Sequence, residues 1–504
     1  MSLWRRFQRG HASFSLGFVP SVQRFRGMVL IVTAGLAAVM LLMFVQHLRA
    51  KDSAVGQGSY LDRWLSVVFN QVGETGISSL IDQATKVVSQ KDAQELQRAL
   101  SVAGLRAQPL SEPVVENLRP KMGQAEARLI AIYRLISEGR HREALLQADA
   151  LVNDHPNFQL AHLVHGDLLS LQMRPVSRLG DVPDTKIRAA SGQLNVLREE
   201  SRRRLQALTE RPLEGYVPAQ FLSLATQSRH AIAIDASRSR LYLFENRTTP
   251  TLTGSKLAVP PRLVLVGDYY ISVGLQGIEK HLEGDKRTPL GVYYITSSLD
   301  PNSLPDLYGV GALPINYPNP LDIQRGKTGS GIWLHGTPSD QFVRAPLASD
   351  GCVVLANPDL EHLLKTVQVR TTPVVIATEL YWVRPEALDT ERQDFEATLQ
   401  SWRDAKAQND LSLLRTFYSD RFRQQGRDLA TWWPTVEREV QKMHGNGIQG
   451  LQLKDLSLLR WQDSQDTMVV TFGEVARGQS RGVTKRQYWA RENNQWKIFF
   501  EGTP

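Results

Sequence analysis

The 504-residue chain has a single cysteine, Cys352. One cysteine excludes an intramolecular disulfide framework, and in an oxidising compartment a lone thiol is a liability unless it is buried or used chemically. The first 51 residues contain no Asp or Glu. They carry Arg5, Arg6, Arg9, Arg24, Arg26, Arg49 and Lys51. With those seven set aside, 52 basic residues face 51 acidic ones. The body of the protein therefore lacks the charge excess of a nucleic-acid binder, and the net charge of +8 reads as a membrane-topology signal. A hydrophobic content of 42% with 22% charged residues also excludes a disordered chain. The length suggests about three domains.

Gly27 to Val45 is apolar, with neither charge nor proline. Nineteen helical residues are long enough to cross a hydrocarbon core of about 30 Å. No small-x-small cleavage site follows, and five of the seven basic residues precede the run. The expectation is an uncleaved single-pass inner-membrane anchor at 27–45, with a cytoplasmic tail at 1–26 and a periplasmic body. A cleaved signal peptide is the alternative.

Residues 52–227 read as helical. Within them, 125–172 resembles one and a half tetratricopeptide repeats: Gly139 at the first turn, Ala144 as the small packing residue and Pro156 closing the unit. Such a region suits a protein partner or a prop for the next domain. His155, His162 and His165 lack partners at ligand spacing beyond Asp154 and Asp167, so no metal is expected. The cluster Arg202 to Arg204 beside Glu199 and Glu200 reads as a solvated helix face.

At His230 the period changes. HAIAIDASRSRLYLFE is a hairpin pattern, and short β runs follow at 262–266, 268–273, 291–296, 332–335, 352–355 and 374–378. Asn357-Pro358-Asp359 reads as a helix start with Asn357 as N-cap. Residues 390–504 read as helix first (391–422) and antiparallel strands second, an α+β layout similar to the nuclear-transport-factor-2-like (NTF2-like) cone. Trp402, Tyr418 and the Trp432-Trp433 pair fit its core better than a pocket.

The stretch from Trp333 to Asn357 pairs Cys352 with His335, the two parts of a Cys/His nucleophile. Ile332-Trp-Leu-His-Gly and Ser349-Asp-Gly-Cys-Val-Val-Leu-Ala-Asn resemble the paired catalytic signature of YkuD-type L,D-transpeptidases. Tyr270-Ile-Ser-Val-Gly and Glu283-Gly-Asp-Lys-Arg-Thr-Pro-Leu-Gly-Val-Tyr resemble upstream motifs of the same family. The resemblance covers 228–380. It implies a multidomain protein: transmembrane helix, TPR-like helical region, mainly-β catalytic domain and α+β cone.

The resemblance implies peptidoglycan stem peptides as substrate and no cofactor. Cys352 would be the nucleophile and His335 the base, its other ring nitrogen held by the Gly336 carbonyl. The N–H groups of Gly351 and Cys352 would face the oxyanion. Ser349, Asp350, Asn357 and Trp333 complete the expected site as substrate-binding residues, with Trp333 also packing behind it. Three departures stand out. Asp350 replaces the usual histidine, Val354 replaces a basic residue, and thirteen residues separate His335 from Ser349, one fewer than usual. Asp350 would raise the thiol pKa. It leaves open an unusual acceptor or water, hence a hydrolase. A non-catalytic scaffold for the cell wall or for other proteins is the third reading.

Overall fold

A computed structural model describes residues 122–181, 184–247, 262–445, 450–479 and 481–504. The Gly27–Val45 run and the helices expected over 52–120 lie outside them. Among the described residues no helix is long and apolar enough to cross a membrane.

Helices α1 (Gln124–Ser137), α2 (His141–Asp154) and α3 (Gln159–Leu171) come first. Gly139, at φ 72°, closes α1 in a Schellman turn: its N–H reaches the Ile136 carbonyl and the Arg140 N–H that of Leu135. Ala144, Ala148 and Leu151 of α2 meet Leu129 and Ile132 of α1 and Leu160, Val164 and Leu168 of α3. The third helix is complete, where the sequence suggested only its start. The next helix, α4 (Asp184–Thr209), runs 26 residues, so no second unit of matching length follows.

One face of α4 is not solvated as expected. Glu200 and Arg204 are buried, and Arg204 bonds Glu126 of α1 at 2.7 Å. The same Glu126 oxygen takes Arg240 at 2.8 Å, and Arg240 also holds Asp268. Burial alone would raise the Glu126 pKa, but Arg240 and Arg204 hold it below its ordinary value. This ionic cluster fastens the helices to the sheet.

Short strands β1 (Val217–Pro218) and β2 (Phe221–Ser223) precede the hairpin β3 (His230–Asp235) and β4 (Arg240–Arg247). Then come β5 (Arg262–Gly274), β6 (Gly291–Tyr294), β7 (Ala312–Pro314), the short helix α5 (Pro320–Gln324), β8 (Trp333–His335), β9 (Leu347–Ser349) and β10 (Val353–Leu355). Helix α6 (Asn357–Thr366), β11 (Pro373–Ala377) and β12 (Trp382–Val383) finish the unit. The main sheet has nine strands in the order β6-β11-β3-β4-β5-β10-β8-β7, with β9 on β5. The two runs at 262–266 and 268–273 are one strand, bulged where Leu243 faces Gly267 and Phe244 faces Leu265. Both faces are buried, which explains the continuous apolar runs. Ile232, Ile234, Leu241 and Leu243 pack towards Leu360 and Leu363 of α6.

The opposite face, with Ala231, Ala233, Tyr242 and Phe244, packs on the C-terminal sheet through Leu459, Trp461, Val469 and Tyr488. That unit has α7 (Asp389–Ala407), α8 (Leu411–Thr416), the two-residue strands β13 (Arg423–Gln424) and β14 (Arg427–Asp428), and α9 (Leu429–Gly445). Strands β15 (Leu451–Gln462), β16 (Asp466–Ala476), β17 (Val483–Glu492) and β18 (Gln495–Gly502) follow. Helix α9 was not anticipated, because Pro434 inside it reads as a breaker. Trp402, Tyr418 and Trp433 lie in the core of this unit. Strand β1 pairs with β12, and β2 pairs with β15 and makes its sheet five-stranded, so residues 217–223, expected to be helical, belong to both units.

Candidate active site

Strands β8 and β10 run parallel, with Leu334 opposite Val353 and His335 opposite Val354. Leu334, Val353 and Leu355 point into the core. Alternation then turns Trp333, His335 and Val354 to the other face, with Cys352 one residue before β10. The sequence thus brings a thiol and an imidazole to one edge of adjacent strands.

His335 is buried, and its Nδ1 lies 2.7 Å from the Gly336 carbonyl. Donation from Nδ1 to that oxygen leaves Nε2 as the basic nitrogen. Burial, aided by the positive charge of Arg344, pushes the imidazole pKa down to about 4 against the pull of the Gly336 bond. The Cys352 thiol is raised, chiefly by burial and slightly by Asp350. The Trp333 N–H, Arg344 and Lys280 oppose the rise. Its Sγ accepts the Trp333 N–H at 3.4 Å and donates to the Gly331 carbonyl at 3.5 Å. Both shifts favour a neutral thiol and a neutral imidazole, with the thiol hydrogen-bonded to the Gly331 carbonyl.

The loop before the thiol is tightly held. Ser349 Oγ donates to the Cys352 carbonyl at 2.6 Å and accepts the Gly351 N–H at 3.1 Å. The Gly351 N–H, expected to face an oxyanion, is thus bonded to Ser349 in this structure. Gly351 is needed for another reason. Its φ is 122°, and a Cβ would come 2.8 Å from the Arg287 carbonyl. Thr288 Oγ1 donates to the Gly351 carbonyl at 2.9 Å and accepts the Gly274 N–H at 2.9 Å. Upstream, Asp285 accepts three backbone N–H groups and pairs with Lys280 at 2.8 Å. Burial would raise its carboxyl pKa, but these partners hold it well below the usual carboxylate range. The Gly-Asp and Thr-Pro motifs are thus a brace for the loop before Cys352.

Ser349 and Asn357, expected as substrate-binding residues, both bond backbone in this structure. Asn357 Oδ1 accepts the N–H groups of Thr337 and Val310, and its Nδ2 donates to the Thr337 carbonyl. It does not cap α6; Ala356 is the capping residue and no side chain bonds there. A Cβ on Gly336 would fall 2.0 Å from Asn357 Oδ1, and one on Gly309 2.1 Å from it. Glycine at both positions lets this amide lock the loop behind His335.

Asp350 is exposed and forms an ion pair with Lys286 at 3.2 Å. Trp333 is half-buried, its ring 4.8 Å from that of Tyr308, which also stands edge-on to His335 at 5.0 Å. Tyr308 was missed by sequence reasoning, being in a short 3-10 turn (Asp306–Tyr308) without periodicity; the following Gly309, at φ 62°, was its one signal. Arg344 was also missed. Its half-buried guanidinium has no hydrogen-bond or ion-pair partner among the described residues, and its charge acts on both Cys352 and His335. Among the described residues no cluster of His, Cys, Asp and Glu could hold a metal ion.

Residues 229–376 match the YkuD L,D-transpeptidase catalytic domain, and 394–502 match the Cds6 C-terminal NTF2-like domain. No curated protein matches the chain. Among solved structures, it is similar to Bd1075 of Bdellovibrio bacteriovorus, with 25% identity over 57% of this chain and 98% of that one, at a TM-score of 0.46. It is also similar to the helical cell shape determining protein Pgp2 from Campylobacter jejuni, with 19% identity over 58% of this chain and 94% of that one, at a TM-score of 0.42. The chain carries a YkuD-type L,D-transpeptidase catalytic domain followed by an NTF2-like domain.

Proposed function

We propose that the chain is an exported cysteine acyltransferase acting on peptidoglycan stem peptides, with Cys352 as nucleophile and His335 as base. The observation that carries this reading is the His335 imidazole, held neutral by burial and fixed as a tautomer by Gly336, on the strand beside Cys352. Cys352 leaves the Gly331 carbonyl and passes its proton to Nε2 as sulfur attacks the carbonyl of an L-centre. The C–S bond forms, and the Cys352 N–H faces the developing oxyanion. The C–N bond then breaks, and His335 returns the proton to the departing D-amino acid. An acceptor amine attacks the thioester, the C–S bond breaks, and the thiol is restored. The apolar Gly27–Val45 run supports an inner-membrane anchor with this site in the periplasm.

Asp350 favours a second reading. An anionic side chain at the cleft could draw an amine acceptor, but this one is already paired with Lys286. Water would then resolve the thioester, giving a carboxypeptidase. Incubating the protein with tetrapeptide stems and weighing the products separates the two. Cross-linked or amino-acid-exchanged products support transfer, tripeptide alone supports hydrolysis, and no product rejects both.

A further inference from the structure

The catalytic sheet and the C-terminal sheet enclose a groove that the chemistry at Cys352 does not use. One lobe, of about 630 Å³, is lined by Arg370 and Tyr294 from the catalytic side and by Lys454, Arg481 and Arg486 from the C-terminal side. A second lobe, of about 410 Å³, shares Tyr294, Arg370 and Arg486 and adds the apolar surfaces of Ile295, Tyr488 and Phe500. Thr503 and Pro504 border both. The first lobe carries four cationic side chains and one side-chain carboxylate, Asp455, whose Oδ2 is held by Gln227.

Arg486 is the central feature. It is only 7% exposed, and its guanidinium stacks on the Tyr294 ring at 3.4 Å. Its Nε donates to Thr471 Oγ1 at 3.0 Å, and its two terminal nitrogens have no partner among the described residues. Those nitrogens line the groove, where an entering anion can take both of them. No carboxylate of the described chain lies within ion-pair reach of Arg370, Lys454, Arg481 or Arg486. Arg370 itself sits at φ 69°, a conformation a non-glycine residue adopts at some cost. Its N–H bonds the Ile295 carbonyl at 2.7 Å, which keeps the residue at the rim.

We propose that this groove is a second binding site, for a peptide that carries free carboxylates. The planar Arg486 fork suits a carboxylate, Arg370 and Arg481 flank it from opposite domains, and the Tyr488–Phe500 lobe takes an apolar side chain. The site lies outside the Cys352 loop, so a strand seated here leaves the catalytic cleft free for another. The ligand class goes beyond the acyl-transfer reading and does not depend on turnover.

The test uses full-length Cys352→Ala protein and calorimetric titration of a tetrapeptide stem with free carboxylates, beside the same peptide fully amidated. The expected result is two sites per chain for the free acid. One of them should weaken several-fold between 50 and 200 mM salt and be absent for the amidated peptide. The Arg370→Ala/Arg481→Ala double variant, changed at two exposed positions, should lose that site at least tenfold and keep the other. Arg486→Lys should weaken it while circular dichroism stays unchanged. If no site is weakened by the double substitution, the proposal is overturned. So it is by a groove that binds inorganic phosphate and ignores the peptide. A single site that the substitution does weaken keeps the groove and counts against the stem-peptide reading of the Cys352 cleft.

Discussion

In the proposed reaction, the Cys352–His335 pair transfers its proton during attack rather than resting as a preformed ion pair. Burial pushes the two pKa values apart, the imidazole down to about 4 and the thiol above its ordinary value. Turnover of a tetrapeptide stem should therefore hold down to about pH 5 and fall only as His335 protonates. An acid limb near 6.5, the ordinary histidine value, would contradict this. Stability follows the same sign. The folded pKa lies below the unfolded one, so His335 destabilises the fold only as pH drops from about 6.5 towards 4. Alkylation of Cys352 by iodoacetamide should be slower at pH 7 than that of a free thiol, whose pKa is about 8.5. Asp350→Asn should change that rate by less than about threefold, because the carboxylate is exposed and paired with Lys286. The chemistry-bearing types, Cys352, His335 and the glycines beside them, were legible because each obeys a local spacing. Tyr308 and Arg344 were not, since loop residues carry no period to place them.

Helix α6 was legible from Pro358 and its apolar spacing, but the role of its first residue was not. Asn357 looks like a cap in sequence, whereas its amide binds the backbone of two loops that lie 20 and 47 positions upstream. Asn357→Ala should cost about 1–3 kcal/mol by urea denaturation, because it strands buried N–H groups. Gly336→Ala should be severe alone and milder in the Asn357→Ala background, where the group 2.0 Å from the new Cβ is gone. Strict additivity of the two would reject this contact. Asp359, two residues on, is raised to about 7 by burial, reinforced by Glu126. Its folded pKa lies above the unfolded value, so ionising it destabilises the protein as pH rises from about 4 to 7. Asp359→Asn should raise the melting temperature at pH 8 and leave it nearly unchanged at pH 4. An equal change at both would contradict the assignment.

The whole described chain is more interlocked than its sequence segments suggest. Period and motif reading separates a helical region, a catalytic domain and a cone, and in the described residues helices precede the two matched domains. It misses that β2 completes the cone's sheet, that two sheets share one apolar cluster, and that Arg204 and Arg240 meet on Glu126. Such pairings join residues more than 75 positions apart, beyond any local pattern. Arg240→Ala should cost about 3–5 kcal/mol by leaving Glu126 and Asp268 short of a buried partner. A loss under about 1 kcal/mol in thermal or urea unfolding would show that the cluster does not fasten the helices. The central claim, that Cys352 carries the acyl group, is tested most directly by intact-protein mass spectrometry after mixing with a tetrapeptide stem. The wild type should gain the mass of the acyl fragment left after loss of the terminal D-amino acid, mapped to Cys352, and Cys352→Ala should gain nothing. Product formation that survives Cys352→Ala would contradict the account.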